Sequence, residues 1–576
     1  MKTKLLLIIG LCLALVLQAQ TSTAPSGSGT SSDPYQIASL DNLYWISQNT
    51  GEWGKYFIQT ADIDASSTST WDSGAGWTPL GSVVSETSYV AFTGSYNGAG
   101  RSISGLTINR PSTGNVGFFG LLYGATIQNL GLVNVTITGG GEMTGALSGM
   151  TYTSTTTVSN CYSTGTVNGI NKVGGLVGEN EGAVITRCFS NCTINSSEEK
   201  AGGLVGRNTS GTVSNCYATG AVSCTGTTDD SGAAGGLIGA NFSLVSSSYA
   251  TGAVSACREI GGLIGKSTGE NGGAASVDSC YATGAVSVIG SQEYTSAGGL
   301  VGENYSASIS HSYAIGSVTG QSTSSNVGGL VGNNNTSPIN YCFATGVVSG
   351  GGSTGGLVGQ NNSTSTISNC YSRGNVSGTA NNVGGLVGLN VNAAVTNSYS
   401  TGTAYSLGCY GGILGSNEGD ASISNSFWDT NSSGLTSGCG YNEATFNATG
   451  KTTTEMKSQS TFTNADWDFS SIWAISSNVN NGYPSFIGQS TINGITETKA
   501  DNKISLYPNP ATDAFQITGI EGTATLRLSD LSGRLLFTKE VTAGETVSVN
   551  SLPNGVYLAT IKSKDITETV KLVIQH

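Results

Sequence analysis

Charge is scarce in this chain: Lys, Arg, Asp and Glu make up 10% of its 576 residues, against about 25% in an ordinary globular domain. Only two histidines are present, His311 and His576, which leaves little imidazole for metal binding or acid–base chemistry. With 22 basic and 35 acidic residues, a formal charge of −13 and no basic cluster, the composition speaks against a nucleic-acid partner. Proline is limited to 9 residues and glycine does not recur at every third position, so a collagen helix is excluded. No cysteine pair has the CxxC spacing of a zinc site, and no cofactor motif appears. Beyond the first 20 residues there is no apolar run long enough for a membrane-spanning helix, so none is expected in the mature chain.

Glycine is abundant instead, at 85 residues, and hydrophobic residues still reach 37%, enough apolar surface to bury. Residues 1–19 have a positive tip (Lys2, Lys4), an apolar run from Leu5 to Leu17 and a small-residue exit at Ala19, the layout of a secretory signal peptide. Leu11 before Cys12 is too large for a lipoprotein cleavage site. A low-complexity linker follows at 20–33.

The main signal is a repeat. The pattern Gly-Gly-(Leu/Ile)-(Val/Ile/Leu)-Gly starts at Gly174, Gly202, Gly235, Gly261, Gly298, Gly328, Gly355, Gly384 and Gly411, at intervals of 26 to 37 residues. Each copy is followed by a frame such as VSNCYATGAV from Val213 or VDSCYATGAV from Val277. Units built from Gly, Val, Ile, Thr, Ser and Tyr in short runs favour strands, and glycine at this density would cost a helix about 1 kcal/mol per residue. A unit of about 30 residues repeated in this way is a solenoid signature. The reading is an all-β chain: a parallel β-helix of about 11 rungs, each with three short strands, with end caps and then a small β-sandwich.

At Ile127 a degenerate copy reads IQNLGLVNV, which puts leucines in the Cys column and the Ala/Ser column and glycine in the Tyr column. Alternation along a strand then turns the cysteines (Cys161, Cys188, Cys216, Cys280, Cys342, Cys370) inward and the aromatic residues outward. Cys224 with Cys257, and Cys409 with Cys439, lie off that column and are candidates for loop disulfides. Asn180, Asn208, Asn241, Asn304, Asn334, Asn361, Asn390 and Asn417 form a further column, broken at Ser267. It is read as architecture, because asparagine accepts a left-handed corner and stacked amides bond along a column. His311 is read as a tolerated surface substitution.

Residues 34–114 are read as an N-terminal cap, with Ile37, Leu40, Leu43 and Ile46 on one face of a short helix, and 115–430 as the rungs. The segment 431–490, with Trp467 and Trp473, loses the period and is expected to close the other end. A linker at 491–502 precedes a strand-and-turn segment at 503–576.

GGLVGEN from Gly174 and GGLVGNN from Gly328 resemble the GLUG repeat of bacterial secreted and surface proteins, adhesin-like proteins among them. The family also occurs in immunoglobulin A proteases, whose His-Glu-x-x-His zinc motif is missing here, so that activity is not carried over. YPNP at 507–510, SDLSGR at 529–534, LPNGVYL at 552–558 and KLV at 571–573 resemble a type IX secretion sorting domain of type A. That resemblance implies passage across the outer membrane by the type IX machinery, removal of the domain, and attachment to surface lipopolysaccharide. The leading functional reading is a cell-surface adhesin or interaction rod that binds a host protein or a glycan. Tyr217, Tyr249, Tyr281, Tyr313, Phe343 and Tyr371 are its candidate ligand-stacking ladder. Ring-to-ring stacking within the sheet is the plainer reading of that column. A polysaccharide lyase or glycosidase is the alternative function, with Asp229, Asp230, Asp62, Asp64, Glu179 and Glu303 as the available acids.

Overall fold

A computed structural model describes residues 20–489, apart from 86–87, 227–231, 270–274, 291, 293 and 322–324. In the C-terminal unit it describes 505–507, 511–518, 522–530, 535–552, 555–562 and 567–574. The signal-peptide reading for 1–19, the linker at 491–502 and the Asp229/Asp230 pair lie outside the described residues. The chain divides into two units, Met1–Ile492 and Asn493–His576.

The first unit is a parallel β-solenoid. Parallel register carries each repeat onto the next, as in Val177↔Val205, Ile238↔Ile264, Val301↔Val331 and Val358↔Val387. Among the described residues, one sheet column holds 12 strands and another 11. The turns from Ala201 to Tyr405 have five short strands rather than the expected three; one complete turn runs Ser296–Gly298, Val301–Tyr305, Ser308–Ser310, Tyr313–Ala314 and Val318–Thr319. Glycine causes the subdivision. A Cβ on the second glycine of the motif would fall about 2 Å from a carbonyl oxygen of the next turn, as at Gly203 (2.0 Å from Gly236) and Gly299 (2.0 Å from Gly329). The chain bends where only a hydrogen can fit, and the turns close up there.

Inside, Leu176, Leu204, Leu237, Leu300 and Leu330 form one fully buried column, and Val213, Val245, Val277 and Ile309 another. The six column cysteines are buried as expected, at 0–1% exposure. Their neighbours explain their constancy: the backbone N–H of Cys161 meets the sulfur of Cys188 at 3.4 Å, and that of Cys188 the sulfur of Cys216 at 3.4 Å. Serine fills the same place, with Ser248 Oγ accepting from Cys216 N at 3.1 Å. The off-column Cys224, Cys257, Cys409 and Cys439 are free thiols in this structure, not disulfides.

The asparagine column divides the expectation in two. Its amides do bond along the axis: Asn304 to Asn334 at 2.8 Å, Asn334 to Asn361 at 2.9 Å, Asn361 to Asn390 at 2.9 Å and Asn390 to Asn417 at 2.9 Å. They do so from buried positions without left-handed backbone. The left-handed corner is another column, the residue just before the cysteine: Asn160 (φ 53°), Asn215 (54°), Ser279 (55°), His311 (48°), Asn369 (50°) and Asn397 (46°). His311 therefore sits at a corner that favours small amides. It is held there by Asp278 of the turn below at 2.9 Å and by stacking on Tyr341 of the turn above, so it has partners on both sides.

The ends differ from the boundaries read in the sequence. A helix does form at Leu40–Gln48, capped by Ser39 and burying Leu43 and Ile46. Ile37, however, belongs to the strand Tyr35–Ile37, which already pairs in parallel with Tyr56–Gln59. The winding thus starts far ahead of residue 115. Its first turns are filled by Phe57, Trp77 and Tyr96 instead of the glycine motif, which hides their period. At the other end Cys439–Asn442 and Thr445–Lys451 pair in parallel with the last repeat and continue the winding. Residues 453–489 then fold back along the side of the solenoid.

The second unit has two antiparallel sheets. One contains Ser505–Tyr507, Ala514–Thr518 and Thr546–Ser548; the other contains Thr523–Asp530, Leu535–Thr542, Gly555–Lys562 and Thr567–Ile574. Phe515, Ile517, Leu526, Leu528 and Leu572 form its separate core.

Candidate functional site

The aromatic column follows from register. Tyr217↔Tyr249, Tyr249↔Tyr281, Tyr281↔Tyr313, Tyr313↔Phe343 and Phe343↔Tyr371 are direct parallel partners. Nine rings from Tyr162 to Tyr399 stack with centroids 4.7–5.1 Å apart and planes within 8° of parallel. The stack begins where Tyr162 lies over Gly131, whose Cβ would sit 2.4 Å from that ring. Stacking at strand spacing uses both faces of every interior ring. Ring edges and phenol hydroxyls are what remain, so the column offers no face on which a sugar ring could lie flat.

The column is also divided along its length. Tyr162, Phe189, Tyr217, Tyr249, Tyr281 and Tyr313 are half-buried. Phe343 at 4% and Tyr371 at 0% are covered, as are Tyr399 and Phe427. For Phe343 and Tyr371 the expectation of an open ligand-stacking position is corrected: the 453–489 segment lays Phe462, Trp467, Trp473, Tyr483 and Phe486 over them and their neighbours. Four of the six candidate ladder residues, Tyr217, Tyr249, Tyr281 and Tyr313, stay accessible at their edges. Burial and the neighbouring Tyr249 push the phenols of Tyr217 and Tyr281 up to about 12, so these hydroxyls stay protonated at physiological pH. A shallow groove of about 230 Å³ lies on the next strand column, lined by Ala221, Ser223, Ala253, Ser255, Ala285 and Ser287.

The acids are occupied elsewhere. Across three of the Gly-Gly bends a residue at the start of the bend faces the residue seven positions on, a pairing that the sequence spacing shows but that was not read from it. Lys172 meets Glu179 at 3.0 Å and Glu259 meets Lys266 at 3.1 Å, the same pair with its charges exchanged. Glu179 also takes Arg207 of the next turn at 3.1 Å and is 3% exposed. Asp62 accepts from Ser102 N at 2.8 Å, and a backbone bond from Ser66 holds the Asp64 carboxyl below its ordinary range. Among the described residues, no group of three or more His, Cys, Asp or Glu side chains is placed to hold a metal ion.

Glu303 is the exception in this column. Its partner across the bend is Ser296, at 2.9 Å, and Asn333 donates to it at 3.0 Å. Burial, reinforced by Glu259, pushes its carboxyl up to about 7 from 4.5. The folded chain thus holds this proton more tightly than the unfolded chain does. Folding is unpenalised by Glu303 below pH 4.5 and loses stability as the pH rises from there through about 7. Glu303→Gln is expected to melt higher than the parent at pH 8 and at the same temperature at pH 4. Thermal melts at the two pH values check this.

Three stretches, 199–223, 293–319 and 379–405, match the family described as the GLUG motif, and 505–575 matches the secretion system C-terminal sorting domain. The chain is 40% identical over 176 residues to halomucin of Haloquadratum walsbyi, a match covering 30% of this chain and 2% of that protein. It is 32% identical over 193 residues to a putative Gly-rich membrane protein of Evansella cellulosilytica, covering 28% of this chain and 21% of that one. The chain therefore spans a small part of either relative. No solved structure matches. The sorting domain directs secretion across the outer membrane, to the cell surface or the extracellular space. Among the described residues no helix is long and apolar enough to cross a membrane.

Proposed function

We propose that this GLUG-repeat chain with its secretion sorting domain is a surface adhesin or interaction rod whose solenoid side binds a host protein or a glycan. The observation that carries the reading is the row of six half-buried rings ending at Tyr313, interface-type side chains at regular spacing on an exported protein. Removal of the sorting domain and attachment to surface lipopolysaccharide belong to the same proposal. The test is capture of the full chain on an array of glycans and extracellular proteins, beside the triple variant Tyr217→Phe, Tyr249→Phe and Tyr281→Phe. Selective capture, weakened by the triple variant, supports the reading. No capture, or capture indifferent to those rings, overturns it. Among the described acids that a lyase or glycosidase would need, Glu179 is held in ion pairs, Asp62 and Asp64 accept backbone bonds, and Glu303 is buried against Ser296 and Asn333, an arrangement that does not favour that second reading.

A further inference from the structure

The protein already contains one solution to covering its ring column. Over Phe343, Tyr371, Tyr399 and Phe427 the segment 453–489 packs aromatic side chains against ring edges: Phe486 lies 5.8 Å from Tyr371, Trp473 6.3 Å from Tyr399, and Trp467 5.9 Å from Phe427. Amides and a carbonyl satisfy the ring hydroxyls. Gln489 donates to Tyr371 Oη at 2.7 Å, Asn480 donates to Tyr399 Oη at 2.7 Å, and Tyr399 Oη donates to the Pro484 carbonyl at 2.6 Å. The flanking columns are used as well. The Trp467 indole N–H donates to the corner carbonyl of Asn425 at 2.8 Å, and Arg373, two residues beyond Tyr371, donates to Asn480 Oδ1 at 2.7 Å.

The same three columns continue past the edge of that cover, with threonine on the far flank in place of Arg373. Asn215, Ser247 and Ser279 continue the corner; Tyr217, Tyr249 and Tyr281 the rings; Thr219, Thr251 and Thr283 the far flank. Tyr313 already touches the rim of the covered cluster. The open strip is thus continuous with an established interface and carries the same ring column. We propose that the open rings receive a partner polypeptide bearing aromatic and carboxamide side chains, seated as 453–489 is seated on the rings above. The inference rests on the preceding reading and names its partner class. A polypeptide fits better than a glycan, because stacking consumes the ring faces. What remains are edges, which take indole and phenyl groups, and hydroxyls, which take amides and carbonyls.

The probe is a labelled synthetic peptide of residues 458–489, titrated onto the full chain by fluorescence anisotropy. Saturable binding is expected, weakened roughly tenfold or more by the Tyr217→Phe, Tyr249→Phe, Tyr281→Phe triple variant, which removes three hydroxyls and keeps the stack. Phe189 occupies the same column, so the variant is compatible with the fold. Absence of peptide binding overturns the inference. So does binding that the triple variant leaves unchanged, since that is exchange with the resident segment. If the peptide fails while array capture still depends on these rings, the polypeptide inference falls and the functional reading stands. If capture is also indifferent to them, both fall.

Discussion

Asn361→Ala is expected to destabilise the solenoid by about 2–4 kcal/mol, the cost of leaving buried amide groups bare beside a small cavity. Asn361 accepts from Asn334 at 2.9 Å and donates to Asn390 at 2.9 Å, so one substitution strips a partner from each neighbour. Neither neighbour reaches water, since both are 0% exposed. The column supplies its own control. At Ser267 the ladder is broken: Asn241 donates to the serine hydroxyl at a long 3.4 Å, and Asn304 Oδ1 in the next turn is buried without a hydrogen-bond partner. Ser267 is the direct register partner of Asn304, and the other strong repeats hold asparagine at this place. Ser267→Asn is accordingly expected to stabilise by about 1 kcal/mol by donating to that oxygen. Urea melts of the two variants beside the parent test the pair. Opposite signs support the ladder, and equal signs contradict it.

Trp473→Ala is expected to loosen the cover while leaving the winding in place. Trp473 is fully buried, 4.6 Å from Trp467 and 4.9 Å from Phe486 by ring centroids, at the centre of a core that the solenoid interior does not share. Removing a buried tryptophan costs about 3–5 kcal/mol. In a repeat protein, stability divides among neighbouring units, so that loss falls on 453–489 first. Backbone hydrogen exchange across 453–489 is expected to accelerate by about two to three orders of magnitude, with the amides of the Leu300 and Leu330 turns unchanged. Loss of protection throughout the solenoid would show that the cover is part of one cooperative core.

Much of this architecture was legible because it repeats. The glycine motif gave the period, and IQNLGLVNV gave the inward cysteines and outward rings, since leucine in a column declares its side. What sequence alone could not separate was two asparagine columns of similar composition: amide ladders and left-handed corners both favour this residue, for different reasons. The first turns escaped because Phe57, Trp77 and Tyr96 fill them without the glycine signature. The fate of Phe343 and Tyr371 was hidden for a related reason. Trp467 and Trp473 announced a cover, but sequence does not say whether a cover lies on the end of a solenoid or along its flank. The charge exchange between Lys172–Glu179 and Glu259–Lys266 was the one readable clue left unused, a seven-residue spacing of opposite charges across the Gly-Gly bend.

The central claim is that one ring column is open over its first stretch and closed over its last. Tyrosine nitration of the folded full chain, mapped by mass spectrometry, measures this directly. Raised phenol pKa values slow every ring in the column, so the comparison is between rings within it. Tyr217, Tyr249, Tyr281 and Tyr313 are expected to be modified while Tyr371 and Tyr399 stay unmodified until the chain unfolds. Equal reactivity along the column, or protection of the first four, would contradict the account.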